Sequence, residues 1–269
     1  MKQYLIVLVA CMLSLQSVAQ QYGSFKDSRD GRIYKTVKIG SQVWMAENLN
    51  VETFRNGDTI TQVKYWDWGL REPAWAYVEY YDLKNKIKYT SKVYNWYAVN
   101  DSRGLAPLGY HIPTDEEWTT LITYLGGENV AGKKMKSTSG WETRETGGSK
   151  TCTNCADWSE EYRRKVPCHI CKDTRKIAVP KKTYSGNGSN QSGFSAIPYG
   201  SHPQEGYLYS LGGRSSVWWS KTEKPNPEYV DQSRPAQTAF VRLIYNTDES
   251  VTRYDLSKGL GLSVRCLKD

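Results

Sequence analysis

Two Cys-x-x-Cys pairs, Cys152 with Cys155 and Cys168 with Cys171, lie within "CTNCADWSEEYRRKVPCHIC". Each pair sets two sulfurs on one tight turn, and the twelve residues between the pairs suffice for a short hairpin or helical turn that brings them together. Four thiolates around a tetrahedral Zn²⁺ are the outcome this spacing most often encodes. The twenty residues from Cys152 to Cys171 are too few to bury much core of their own. Metal binding can supply the missing folding free energy, roughly 10–16 kcal/mol in small zinc peptides. Arg163, Arg164, Lys165, Lys172, Arg175 and Lys176 surround the sulfurs, where their charge would lower thiol pKa values and offset that of the site. His169, inside the second pair, is an alternative ligand expected to point outward. Disulfides are the competing chemistry, because four cysteines in an oxidising compartment can pair in three ways. Redox or haem chemistry is the remaining reading: "CHICK" carries a Lys after its second Cys, whereas "CTNCA" carries neither His nor Lys there.

Elsewhere the sequence offers little for catalysis. His111, His169 and His202 are the three histidines, and no G-x-S-x-G elbow accompanies them. His111 is expected to make a structural hydrogen bond, and Cys266, in a strand alternating with Leu262 and Val264, to be a buried inert thiol. The acids Asp115, Glu116 and Glu117 are fully explained by a helix start, so the chain is read as no enzyme. Tyr (20) and Trp (10) far outnumber Phe (4), which suits partly wet packing or ligand faces. Trp66, Trp68, Trp75 and Tyr77, with Tyr80 and Tyr81 beyond them, and Trp218 with Trp219, are the candidate ligand-binding residues.

Residues 1–19 read as a signal peptide: Lys2, an apolar run from Tyr4 to Leu15, then Ser17-Val18-Ala19. A lipobox-like Leu8-Val9-Ala10-Cys11 is the competing anchor. Both give an extracytoplasmic chain with no transmembrane segment, since no later apolar stretch approaches about 20 residues. The +8 net charge is scattered outside the cysteine segment, and export argues against nucleic acid as partner.

The elements that must position these residues are few. Residues 20–31 read as a flexible lead-in, and "RIYKTVKIGSQVWMAENL" as a β-hairpin about Gly40-Ser41. Residues 51–92 read as long loops with short strands, and Val93–Asn100 as a strand or short helix. In "PTDEEWTTLITYLGG" Thr114 and Glu117 form a capping box, and Trp118, Leu121, Ile122 and Leu125 fall on one stripe. A weaker helix follows in "NVAGKKMKS". Short β runs begin with "SGFSAIPYG" and continue to the end, so the class expected is α+β.

Seven blocks spread over the chain, including "DGRIYKTVKIGSQVWMAENLN", "GLAPLGYHIPTDEEWTTLITYLGG", "SGFSAIPYG" and "GLSVRCLKD", make it resemble the Fibrobacter succinogenes major paralogous domain family. The resemblance implies an irregular, loop-rich, C-type-lectin-like domain over residues 20–269, related to formylglycine-generating sulfatase-modifying enzymes and exported, with no established activity. Family members often carry Cys where this chain has Ala106, which leaves Cys266 without a mate. They also need only a short connection where this chain spends residues 143–184, which implies a small zinc-ribbon-like insertion holding all four paired cysteines. "EPA" at Glu72 and "VWWS" at Trp218-Trp219 lack the lectin calcium residues, so no Ca²⁺ site is predicted. The function expected is non-catalytic: loops presented to a glycan or protein at the cell surface, with a structural Zn²⁺. An enzyme related to the sulfatase-modifying proteins, or a disulfide-stapled insertion, is the alternative.

Overall fold

Gly40 takes a φ of +61°, a conformation that costs glycine nothing, and reverses the chain between β2 (Ile33–Ile39) and β3 (Gln42–Met45). The two pair antiparallel from Ile39↔Gln42 to Thr36↔Met45, as the Gly-Ser turn predicts. A computed structural model of the chain describes residues 20–64, 70–82, 85–155, 159–161, 168–172, 174–200, 212–227 and 235–269.

The stretch expected to be a flexible lead-in is instead a strand. β1 (Gln21–Lys26) pairs with β2 along its whole length, from Gln21↔Lys38 to Lys26↔Ile33. Its alternation is invisible in sequence because only Phe25 turns inward, stacking on Tyr34 at 5.5 Å and Tyr110 at 4.2 Å. β13 (Leu267–Lys268) then bridges β3 and β7 (Tyr110–His111), giving the order β1-β2-β3-β13-β7.

Residues 51–92 also depart from expectation. β5 (Ala74–Asp82) and β6 (Ile87–Tyr94) form a long antiparallel ribbon, with the short β4 (Thr61–Gln62) parallel to β5. Ala76 and Val78 face inward while Tyr77, Glu79 and Tyr81 face out; tyrosines on the outer face blur the period-two pattern. After β6 the chain turns directly into α1 (Trp96–Val99), so Val93–Asn100 is part strand and part helix.

α2 (Asp115–Tyr124) is the helix the capping box announces. Thr114 Oγ1 accepts the Glu117 N–H at 3.2 Å, and Glu117 Oε2 accepts the Thr114 N–H at 2.8 Å. Its buried stripe packs Trp118 against Trp44 at 4.7 Å, with Phe194 and Trp218 within 6.0 Å. α3 (Glu128–Met135) follows, as the weaker pattern suggests. Its Gly132 lies against backbone, where an added Cβ would sit 2.3 Å from Ser250 O. Helix propensity alone favours Gly132→Ala by about 1 kcal/mol. The contact reverses the sign, and a net loss of about 1–3 kcal/mol is expected in urea unfolding; a stabilised variant would show that α3 is free to move off the 249–250 turn.

β10 (Ser215–Glu223), β11 (Thr238–Tyr245) and β12 (Thr252–Ser257) form a three-stranded antiparallel sheet, as the β-rich runs predict. "SGFSAIPYG" is not a strand. It makes single bridges at Ala196 and Gly200, because Ser195 takes a φ of +55° and Pro198 lacks the N–H a ladder needs. Two large core clusters join these elements, one centred on Tyr34, Tyr94, Trp96 and Trp219, the other on Trp44, Trp118, Phe194 and Trp218. Among the described residues the architecture is therefore several small sheets, the last of them β8 (Arg144–Thr151) with β9 (Lys176–Tyr184), carrying three short helices and closing no barrel. Helix and sheet coexist as expected, with sheet far in excess. No helix among the described residues is long and apolar enough to cross a membrane.

Candidate metal centre

β8 and β9 run as an antiparallel ribbon from Arg144↔Tyr184 at its base to Thr151↔Lys176 at its tip, with a bulge between Thr146 and Gly148. The base is tied down where Arg144 Nη1 donates to Thr247 O at 2.8 Å. Beyond the last rung the Cys152 N–H donates to Arg175 O at 2.9 Å, which prolongs the ladder into the first Cys-x-x-Cys turn. The second turn closes through the Lys172 N–H to Cys168 O at 2.8 Å and the Thr174 N–H to Cys171 O at 3.0 Å. Lys172 and Arg175 adopt φ of +47° and +58° to do so. Glycine is the usual choice for such positions, and its absence hides these two turns from a reader of the sequence.

This backbone brings four sulfurs into one cage. Cys152, Cys155, Cys168 and Cys171 are 0, 0, 1 and 5 % exposed, and all four Sγ atoms lie within 4.8 Å of one another. Across the two turns, Cys152 faces Cys168 at 3.9 Å and Cys155 faces Cys171 at 3.4 Å. A tetrahedral ion with metal–sulfur bonds of about 2.3 Å needs sulfurs about 3.8 Å apart. A disulfide needs about 2.0 Å. The five described cysteines are all free thiols, so the disulfide-stapled alternative is overturned.

The electrostatics suit a cation. The Cys171 N–H hydrogen-bonds the Cys168 sulfur and draws its pKa down to about 6 against the opposing effect of burial; the Ile170 N–H and the Asn154 amide, at 3.6 Å, add to this. Burial pushes the Cys155 thiol up to about 12, and the other three sulfurs push it further the same way. Four thiolates cannot share so small a volume without a positive ion among them. His169 is exposed and lies outside the cage, so the ligand set is four sulfurs. Asn154, which no motif singles out, is an additional holder of Cys168. Arg163, Arg164, Lys165, His202, Cys11 and the leader 1–19 lie outside the described residues.

The aromatic candidates divide. Trp218 and Trp219 are 0 % exposed, with their indole N–H groups given to Asn48 Oδ1 at 3.0 Å and Tyr94 O at 2.8 Å. Trp75 is buried likewise and donates to Ile60 O at 3.1 Å. These three are core rings with no face free for a ligand, a correction to the expectation that they lie at a binding surface. Tyr77 and Tyr81 are exposed, and Tyr80 stacks on Tyr89 at 5.9 Å. Trp66 and Trp68 lie outside the described residues.

Cys266 is fully buried, and burial pushes its pKa up to about 12, as expected of an inert thiol. Ala106 shares its core cluster. His111 makes more than one structural bond: Nδ1 meets Asp269 Oδ1 at 2.7 Å and Nε2 meets Glu117 Oε1 at 2.9 Å. Burial lowers its pKa, but the two carboxylates outweigh burial and the net shift is upward. A histidine with a raised folded-state pKa stabilises fully below its unfolded value, near 6.5, and loses that contribution as pH rises through the folded value. The ring is a third exposed, so the effect expected is below about 1 kcal/mol. It should be visible as a fall in stability as pH rises above about 6.5 that His111→Gln abolishes, and an unchanged pH profile in that variant would refute the pairing.

A family model described as the Fibrobacter succinogenes major domain matches residues 37–268, a span that includes the ribbon and its four cysteines. No curated protein and no solved structure matches the chain.

Proposed function

The chain belongs to the Fibrobacter succinogenes major domain family, and on that premise we propose a non-catalytic extracytoplasmic recognition domain whose ribbon lobe folds around one structural Zn²⁺. The observation that carries the metal reading is the cage of four buried sulfurs at the tip of β8–β9. Four protein ligands fill a tetrahedron and leave no open position for substrate or water, the mark of a structural rather than a catalytic zinc. Thiolate softness and this geometry favour zinc over calcium or magnesium. The ribbon would present a contact surface to a glycan or protein partner at the cell surface, with Tyr184 on the ribbon and Tyr77 and Tyr81 on β5 as exposed aromatic anchors. The leader-like residues 1–19 support export, and the motif blocks support a C-type-lectin-like arrangement.

The test is elemental analysis of protein purified without added metal. One zinc per chain and no copper or iron is expected, with five thiols reactive in denaturant once the metal is removed and the leader cleaved. Copper or iron in the cage, or fewer thiols, would overturn the assignment.

A further inference from the structure

A pocket of about 370 Å³, within the range of small-molecule sites, opens among β2, the chain after β3, β6 and the 195–199 segment. Its floor is Arg265, 1 % exposed. The guanidinium gives its Nε–H to Asn48 Oδ1 at 2.8 Å, its Nη1 hydrogens to Met45 O at 3.1 Å and to Phe194 O, and one Nη2 hydrogen to Ser195 O at 3.2 Å. It also lies 4.2 Å over the Phe194 ring. Four of its five N–H groups are thus used, all on neutral oxygens, and the fifth, on Nη2, has no partner among the described residues. No carboxylate pairs with it among the described residues. Glu47, the one acid lining the pocket, is engaged by the Lys35 N–H at 2.9 Å and by Arg32 at 4.0 Å.

A buried charge without a counter-charge is destabilising, and burial draws Arg265 down to about 9. Three more donors line the same pocket without a hydrogen-bond partner among the described residues: the Lys35 ammonium, the Tyr199 hydroxyl and the Asn50 side-chain NH₂. Three cations face one carboxylate there. The volume exceeds what a lone ion fills; Thr90, Ser91 and Asn50 add hydroxyl and amide groups suited to the hydroxyls of a ring, and Tyr22, Ala46 and Ile197 add apolar surface suited to its carbon face.

We infer that this pocket binds a small carboxylated sugar, its carboxylate taken by Arg265, Lys35 and Tyr199 and its ring hydroxyls by Asn50 and the β6 hydroxyls. The inference rests on the recognition reading but not on the metal. Calorimetry on the full metal-loaded chain, with galacturonate, galactose and acetate as probes, tests it. Galacturonate is expected to bind, more weakly at high salt, with galactose and acetate each at least tenfold poorer. Lys35→Ser combined with Tyr199→Phe, which leaves the packed Arg265 intact, should weaken galacturonate at least tenfold with the melting temperature unchanged. Absence of galacturonate binding, equal affinity for galactose or acetate, or undiminished affinity in the double variant would overturn it. Cys168→Ser should bind galacturonate as the parent does, so failure of the zinc assignment and failure of this one are read separately.

Discussion

Chelation of the metal, or Cys168→Ser, is expected to unfold the 144–184 ribbon while the rest of the chain stays folded. The reason lies in what the ribbon buries. Its cluster consists of the four cysteines with Ile177 packed beside them. An isolated two-stranded ribbon is marginal in water. A metal held in the cage would therefore supply most of its stability, and the apparent binding free energy in small zinc domains, roughly 10–16 kcal/mol, sets the scale of the loss. Cys168→Ser removes a direct ligand and should weaken metal binding by more than the roughly 10–100-fold that loss of an outer hydrogen-bond partner costs. Hydrogen exchange reads the outcome: amides of 144–151 and 176–184 lose protection, while those of β2, β3, β10 and β11 keep theirs. Retained protection in the ribbon after complete metal removal would show that the strands stand alone and that the cage is incidental.

Asp115→Ala is expected to cost about 3–5 kcal/mol, because it strands a buried arginine. Arg242 on β11 is 1 % exposed and meets Asp115 Oδ1 through Nη1 at 2.5 Å. Its Nη2 donates to Asp115 O at 2.9 Å and Thr119 Oγ1 at 3.0 Å, while its Nε has no partner among the described residues. Arg253 reaches the same carboxylate at 2.9 Å and lies 3.7 Å over Phe240. One carboxylate thus fastens the start of α2 to two strands. Burial, with a smaller push from the Arg253 charge, pulls the Arg242 pKa down, and Asp115 is the principal opposing influence. Urea unfolding measures the loss. Asp115→Ala with Arg242→Met should recover part of it, since an apolar side chain of similar volume has no charge to strand. A loss below about 1 kcal/mol in the single variant would show that the arginine finds water or another acceptor when its partner is gone.

This pair also shows where reading the sequence ran short. A helix start explains Asp115, Glu116 and Glu117 as local acids, and the capping box at Glu117 is indeed formed. It does not explain that Asp115 faces two arginines more than 120 residues away, or that Glu117 also holds His111. The two Cys-x-x-Cys pairs are legible as one cage, while the hairpin or helical turn expected between them falls on residues 156–167, of which only 159–161 are among the described residues. The Asn154 contact and the left-handed Lys172 and Arg175 left no trace in residue type.

What the sequence determined by itself was decided within a few residues: the Gly40 turn, the Thr114 cap and its stripe, and sulfurs spaced to share an ion. Such features depend on neighbours along the chain, so their residue types suffice. Burial was decided only by the tertiary structure. Trp218 and Tyr77 look equally suited to a ligand, yet one lies between α2 and Phe194 and the other faces solvent. β1 became a strand because β2 offered it an edge, and Arg265 became a pocket floor because carbonyls from two distant segments meet around it. Each depends on surfaces brought together across the chain, and no local pattern encodes which surfaces will meet.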